Sequence, residues 1–235
     1  MNGKLNMYDA LEASYETPKK AKERLKRYNY YVSDSLSTPD IKVAFNPVNK
    51  KLLLLGAGTN KLADIGTDAY LAVGQLKKTS RYKQAKQLLK KAKQAYNVDS
   101  ATIVGHSLFG GISSGIAKPN DKVYTYNKGA TIGSIVRPNE QAYRSAGDVV
   151  SVLASGNKRM RTIKPQIDQP LSGFEAPEQF DLFQPHAVRN LNEAETSKIL
   201  IEDTTQPTFE LERYRRFQEQ KPTTEPRFLR GYDEL

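Results

Sequence analysis

The chain has 235 residues, no cysteine, two histidines and a formal net charge of +10. That length accommodates one sizeable α/β core, the missing thiols exclude disulfides, thiol catalysis and thiolate metal sites, and two histidines leave little for a metal to bind. A mean hydropathy of −0.64, with no apolar run near the roughly 20 residues that cross a bilayer, excludes a membrane-spanning helix.

Residues Met1 to Tyr15 are polar and acidic and lack the basic start and apolar run of a secretory signal, so an intracellular or particle-borne setting is expected. The positive charge is local. Lys19, Lys20, Lys22, Arg24, Lys26 and Arg27 form one cluster, and Lys77, Lys78, Arg81, Lys83, Lys86, Lys90, Lys91 and Lys93 form another. Such clusters attract an anionic lipid surface or an acidic protein assembly. Nucleic acid is the weaker match, because lysine dominates and no aromatic platform is interleaved. The plain alternative is a solvated helix face.

Thr17-Pro18 opens a basic helix that runs over Lys19 to Tyr31. Ile41 to Phe45 alternates and breaks at Asn46-Pro47, and the continuous apolar run Lys51 to Leu55 follows, which predicts a hairpin feeding a buried central strand. Its end, Gly56-Ala57-Gly58-Thr59-Asn60, is no dinucleotide loop, since Lys61 stands where the third glycine is required. It reads as a loop of backbone N–H groups at the carboxyl end of a strand, suited to an anion or oxyanion. Lys61 to Thr79 occupies the place of a lid without being strongly amphipathic. Ser80 opens a helix with Tyr82, Ala85, Leu88, Leu89, Ala92 and Tyr96 on one side, closed by Asn97.

Ala101 to Val104 predicts a strand, Gly110 to Ala117 a helix of small residues, and Val123 to Tyr126 and Val149 to Leu153 two more strands. Lys164 to Phe183 is loop-like, with Pro165, Pro170, Gly173 and Pro177. Beyond Glu202 the chain is polar with isolated apolar anchors such as Phe209 and Phe228, a composition expected to be disordered in free solution. The alternation predicts an α/β fold with a mostly parallel central sheet, helices on both faces and a polar C-terminal extension. Its expected divisions are a basic helical segment over 1–29, the α/β domain over 30–201 and a tail over 202–235.

The stretch Thr102-Ile-Val-Gly-His-Ser-Leu-Phe-Gly-Gly111 delivers Ser107 into a glycine-rich corner between strand and helix. A nucleophile elbow is built this way, because the tight turn tolerates little side-chain bulk while the serine oxygen projects from the sheet. The G-x-S-x-G pattern places glycine two residues past the serine; here Phe109 stands there. Of the two histidines, His106 points away from its neighbour at such a corner, which leaves His186 as the base, or else as an ordinary loop histidine. Asp148, after Gly147, precedes the strand over Val149 to Leu153 and reads as the acid, or else as a turn or cap residue. Asp121, Asp168 and Asp181 lack that position. The order Ser107, Asp148, His186 is the one that α/β hydrolases impose.

Ser107 would be activated by His186, and Asp148 would fix the imidazole. The backbone N–H of Leu108 and a donor on the Gly58-Thr59 loop would meet the oxyanion. No cofactor and no metal are expected.

These stretches together resemble the class 3, or fungal-type, lipase family of α/β hydrolases, over roughly Tyr30 to Leu191. The matching segments, in family order, are Leu54 to Asn60, Asp64-Ile-Gly-Thr-Asp68, Ser80-Arg-Tyr82, Gly105-His-Ser-Leu108, Val123 to Asn127, Gly147 to Ser151, and Pro185-His186 with Asn190-Leu191. The resemblance implies an α/β-hydrolase fold, Ser107 as nucleophile, Asp148 as acid, His186 as base, and Thr59 with Leu108 as oxyanion donors. Ala57 stands where the family often has arginine. Phe109 replaces a glycine that lets helix and strand approach, so it must shift the helix or enter a space that other members fill differently. The function expected is a serine esterase or lipase acting on lipid or other ester substrates. The alternative is a hydrolase-fold component of a large assembly, such as a virus particle, with activity reduced or lost.

Overall fold

The computed structural model describes residues 4–58, 76–129, 136–146, 160–164 and 191–201. Thr59, Asp148 and His186 lie outside the described residues, as do the strand expected over 149–153, most of the loops expected over 61–79 and 164–183, and the tail beyond Glu202.

A strand covered on both faces reads as a continuous apolar run rather than an alternating one. Lys51–Gly56, here β3, is such a strand, with Leu52 to Leu55 all buried. It pairs antiparallel with β2 (Ile41–Asn46), which pairs antiparallel with the short β1 (Tyr31–Val32). From β3 onward the pairing is parallel through β4 (Ala101–His106), β5 (Lys122–Tyr126), β6 (Glu140–Ser145) and β7 (Arg161–Ile163). Strand order follows chain order, and the expected hairpin and central strand are present.

Leu53, Leu55 and Val104 join one apolar cluster, while Leu52, Leu54 and Ile103 join a second on the opposite face, as period-two side chains require. The second cluster is covered by α3 (Ser80–Tyr96) and α4 (Ser107–Ile116). Both helices belong to crossovers that step the same way along the sheet, and right-handed crossovers put such helices on one face. In α3, Tyr82, Ala85, Leu89 and Ala92 form the buried stripe, Thr79 accepts the Tyr82 N–H as N-cap, and Asn97 closes the helix at φ 51°.

The first cluster is covered by α1 (Met7–Tyr15) and α2 (Pro18–Lys26), with Leu5, Met7, Leu11 and Leu25 fully buried against Leu53 and Leu55. Helix α1 was not expected from its polar sequence. Asn6 caps it by accepting the Asp9 N–H at 2.8 Å, and Asp9 then receives Arg24 at 2.7 Å, Arg27 at 2.8 Å and the Tyr28 hydroxyl. Two cations of the first basic cluster, Arg24 and Arg27, are therefore spent on Asp9. A short α5 (Glu193–Thr196) and the bridge from Leu200 to Asn6 complete this face. Among the described residues, no helix is long and apolar enough to cross a membrane.

Candidate active site

The corner between β4 and α4 has the backbone that the sequence pattern requires. His106 is extended, at φ −109° and ψ 145°, and Ser107 follows at φ 52° as the first residue of α4. A side-chain-bearing residue in the left-handed region costs on the order of 1–3 kcal/mol, and such strain persists where surroundings fix it. Here the Ser107 carbonyl accepts the Gly129 N–H at 2.8 Å, tying the corner to the loop after β5. The helix therefore starts at Ser107, three residues earlier than the composition suggested. Its first turn carries Leu108, whose backbone N–H has no intrahelical acceptor so near the N-terminus.

Phe109 points inward from α4. Its ring is fully buried in the cluster under α3, seated directly over Gly56, where any Cβ would overlap it. The space that the elbow pattern opens at the helix is here opened at the neighbouring strand. The Arg81 guanidinium lies 5.9 Å from the same ring.

His106 is accounted for on the other face. Its ring is 4% exposed, edge-on to Tyr15 at 5.7 Å and stacked on Tyr126 at 6.1 Å, and its Nδ1 lies 2.5 Å from the Tyr15 hydroxyl. The same hydroxyl accepts the Gly58 N–H at 2.7 Å. Burial pushes the Tyr15 phenol up to about 12, so it stays protonated at working pH and can accept from Gly58 while donating to His106.

Gly58 is pressed against the serine: a Cβ built on it would fall 2.8 Å from the Ser107 Cβ. The strand-end loop therefore reaches the corner, and Thr59 is the residue that follows. Behind α4, the buried Glu140 carboxylate receives Lys128 at 3.0 Å, Ser114 at 2.9 Å and Thr125 at 3.0 Å. This network fixes the helix against β5 and β6.

Ser107 and Leu108 are thus placed together with the Gly58 loop at the carboxyl end of β4. Asp148 follows β6, two strands along, by three residues, and His186 lies between β7 and the buried Leu191. Among the described residues, no group of histidine and acidic side chains could hold a metal ion. Sequence reading missed Tyr15 and Arg81. Tyr15 falls four residues after the buried Leu11 on α1, and Arg81 lies one residue from the buried stripe of α3, so helical spacing was the available signal.

No family model matches the chain, and no curated protein matches it in sequence. Among solved structures, the Lip2 lipase of Yarrowia lipolytica is similar with a TM-score of 0.46 and 14% identity, covering 63% of this chain and 72% of that one. A propeptide complex of a Rhizomucor miehei lipase deletion mutant is similar with a TM-score of 0.41 and 12% identity, covering 61% of this chain and 59% of that one.

Proposed function

We propose that the chain is a serine ester hydrolase of the α/β-hydrolase type, akin to the class 3 lipases, with Ser107 as nucleophile, His186 as base and Asp148 as acid. The observation that carries this reading is the Ser107 backbone, held at φ 52° at the junction of a buried parallel strand and a helix N-terminus. Strain of that kind places a hydroxyl at the carboxyl edge of the sheet, where α/β enzymes react. The chain order of Asp148 after β6 and His186 after β7 is consistent with acid and base returning to the same edge.

In this mechanism Ser107 Oγ attacks the ester carbonyl as His186 takes its proton, with Asp148 holding the imidazole and stabilising its cation. The oxyanion is met by the N–H of Leu108 and a donor of Thr59. Collapse breaks the C–O bond, and the departing alkoxide takes the proton from His186. Water, deprotonated by His186, then attacks the acyl-enzyme and releases the acid and free Ser107. The substrate class is a lipid or other carboxylic ester. The alternative of an inactive scaffold drew on Phe109, the basic surface and the polar tail; the seat of the Phe109 ring over Gly56 supports the hydrolase reading against the first of these.

A fluorophosphonate should label the folded protein at Ser107 and fail on folded Ser107→Ala. Ester turnover should drop by about 10³-fold or more in His186→Ala and Asp148→Asn. Absence of labelling in folded wild type overturns the reading.

A further inference from the structure

The backbone on either side of Ala57 is held by three different parts of the chain, two of which grip the peptide unit joining Ala57 to Gly58. The Ala57 N–H donates to the Asp40 carbonyl at 3.1 Å, before β2. The Ala57 carbonyl accepts from Arg81 Nη2 at 2.6 Å, on the first turn of α3. The Gly58 N–H donates to the Tyr15 hydroxyl at 2.7 Å, at the last residue of α1. Tyr15 in turn engages His106, the residue before the nucleophile, at 2.5 Å.

A strand end normally releases its backbone to water or to a turn. This one is locked from both faces of the sheet at once. Arg81 is also restrained, with Asp40 at 4.0 Å, the Phe109 ring beside it and a buried Nε without a partner among the described residues. Its orientation is set by the carbonyl it serves and by the ring it lies near.

The lock has a directional consequence. With the Gly58 N–H consumed by Tyr15, it cannot serve as a donor to substrate, and the next N–H along the loop is that of Thr59. Gly58 itself abuts the Ser107 Cβ, so a tilt of the 57–58 plane would move the loop relative to the attacking oxygen. Oxyanion donors act through preorganisation, and fixing the preceding peptide is the direct way to supply it.

We infer that Tyr15 and Arg81 are positioning residues for the oxyanion loop, clamping the Ala57–Gly58 peptide from opposite faces of the sheet so that the strand end is held against Ser107. This rests on the serine-hydrolase reading given above.

The test uses the full chain with Tyr15→Phe and Arg81→Met, each checked for folding by thermal melt. Amide hydrogen exchange at Gly58 and ester kinetics with a soluble p-nitrophenyl ester are then read in parallel. Losing an oxyanion donor outright costs about 10²- to 10³-fold, so misorienting one should lower kcat by roughly tenfold in each variant, with KM within about twofold. Gly58 exchange should accelerate in Tyr15→Phe. The double variant should lose less than the product of the single losses, because both residues act on one peptide. Should wild type be labelled at Ser107 while folded Tyr15→Phe keeps kcat within twofold, the positioning role is overturned and the hydrolase reading stands. If wild type is not labelled, the hydrolase reading fails and takes this role with it, whatever the exchange data show.

Discussion

On the face covered by α1 and α2, helices are tied to one another and to the sheet by charged and hydroxyl side chains: Asp9 with Arg24, Arg27 and Tyr28, Lys42 with the Ser14 carbonyl at 3.1 Å, Tyr15 with Gly58. On the face covered by α3 and α4, contact is chiefly steric, with Phe109 over Gly56 and Tyr82 against α4. The same sheet is thus closed largely by polar links on one side and largely by shape on the other, where Arg81 on the Ala57 carbonyl, Lys93 on Asp121 and Glu140 with Lys128 and Ser114 are the polar additions. The Ser107 corner lies where the two meet, with His106 facing the polar side and Phe109 the steric one.

The largest effect should come from breaking the steric side. Gly56→Ala puts a methyl where the Phe109 ring lies, and with backbone beneath and α3 above, neither can move cheaply. A destabilisation of about 3 kcal/mol or more is expected in urea unfolding, at the upper end for overpacking. Phe109→Ala alone should cost about 3–5 kcal/mol as a cavity. Combined, the two should cost less than their sum, since each relieves the other. A Gly56→Ala variant within about 0.5 kcal/mol of wild type would mean the seat is not tight, and the contrast between faces would go with it.

The polar side should yield a smaller, pH-dependent effect. Burial alone would push the Asp9 carboxyl up, but hydrogen bonds from Tyr28 and Arg24, with the charges of Arg27 and Arg24, outweigh it and hold it below the usual range. A folded pKa below the unfolded one contributes stability that is fully present above the unfolded value, roughly pH 4, and is lost as pH falls through the folded value. Glu12 acts with the opposite sign, because burial raises its carboxyl. Asp9→Asn should therefore cost about 1–3 kcal/mol at neutral pH and flatten the acid limb of the stability profile. Parallel acid limbs in wild type and Asp9→Asn would show that the network carries no such linkage.

The same contrast explains what could be read in the sequence. The steric face follows from local pattern: the Leu52 to Leu55 run, the stripe of α3 and the elbow at Ser107 each declare themselves within one element. The polar face depends on partners far apart in the chain. Helix α1 has its apolar residues interspersed with Asp9 and Glu12 and is followed by Glu16, and it reads as polar until Arg24, fifteen residues past Asp9, is placed beside it. Strand β6 was missed for the same reason, since Glu140 is buried only because Lys128, Ser114 and Thr125 meet it. At the candidate site, the tight corner at Ser107 was legible from the elbow pattern. Tyr15 and Arg81 show in the sequence only by their helical spacing from buried residues, because hydrogen bonds to backbone groups leave no motif. Thr59, Asp148 and His186 rest on chain order and resemblance.

The smallest effect is expected where charge is most abundant. Helix α3 contains six cations and no acid, yet Lys83, Lys86 and Lys90 project into solvent and make no ion pair with any described residue. Among the described residues, only Lys93 on that helix meets a buried acid, Asp121, at 2.5 Å. Solvent-exposed charges contribute little through pairing, and repulsion among them is screened by salt. Lys83→Gln, Lys86→Gln and Lys90→Gln should each leave stability within about 0.5 kcal/mol of wild type, with any gain fading as salt is added. Arg24→Gln on α2 should cost more than all three together, because Arg24 bridges Asp9 and Glu16 at 2.7 Å each. A larger loss from the α3 lysines than from Arg24 would mean that number of charges, rather than their partners, decides how the two faces hold.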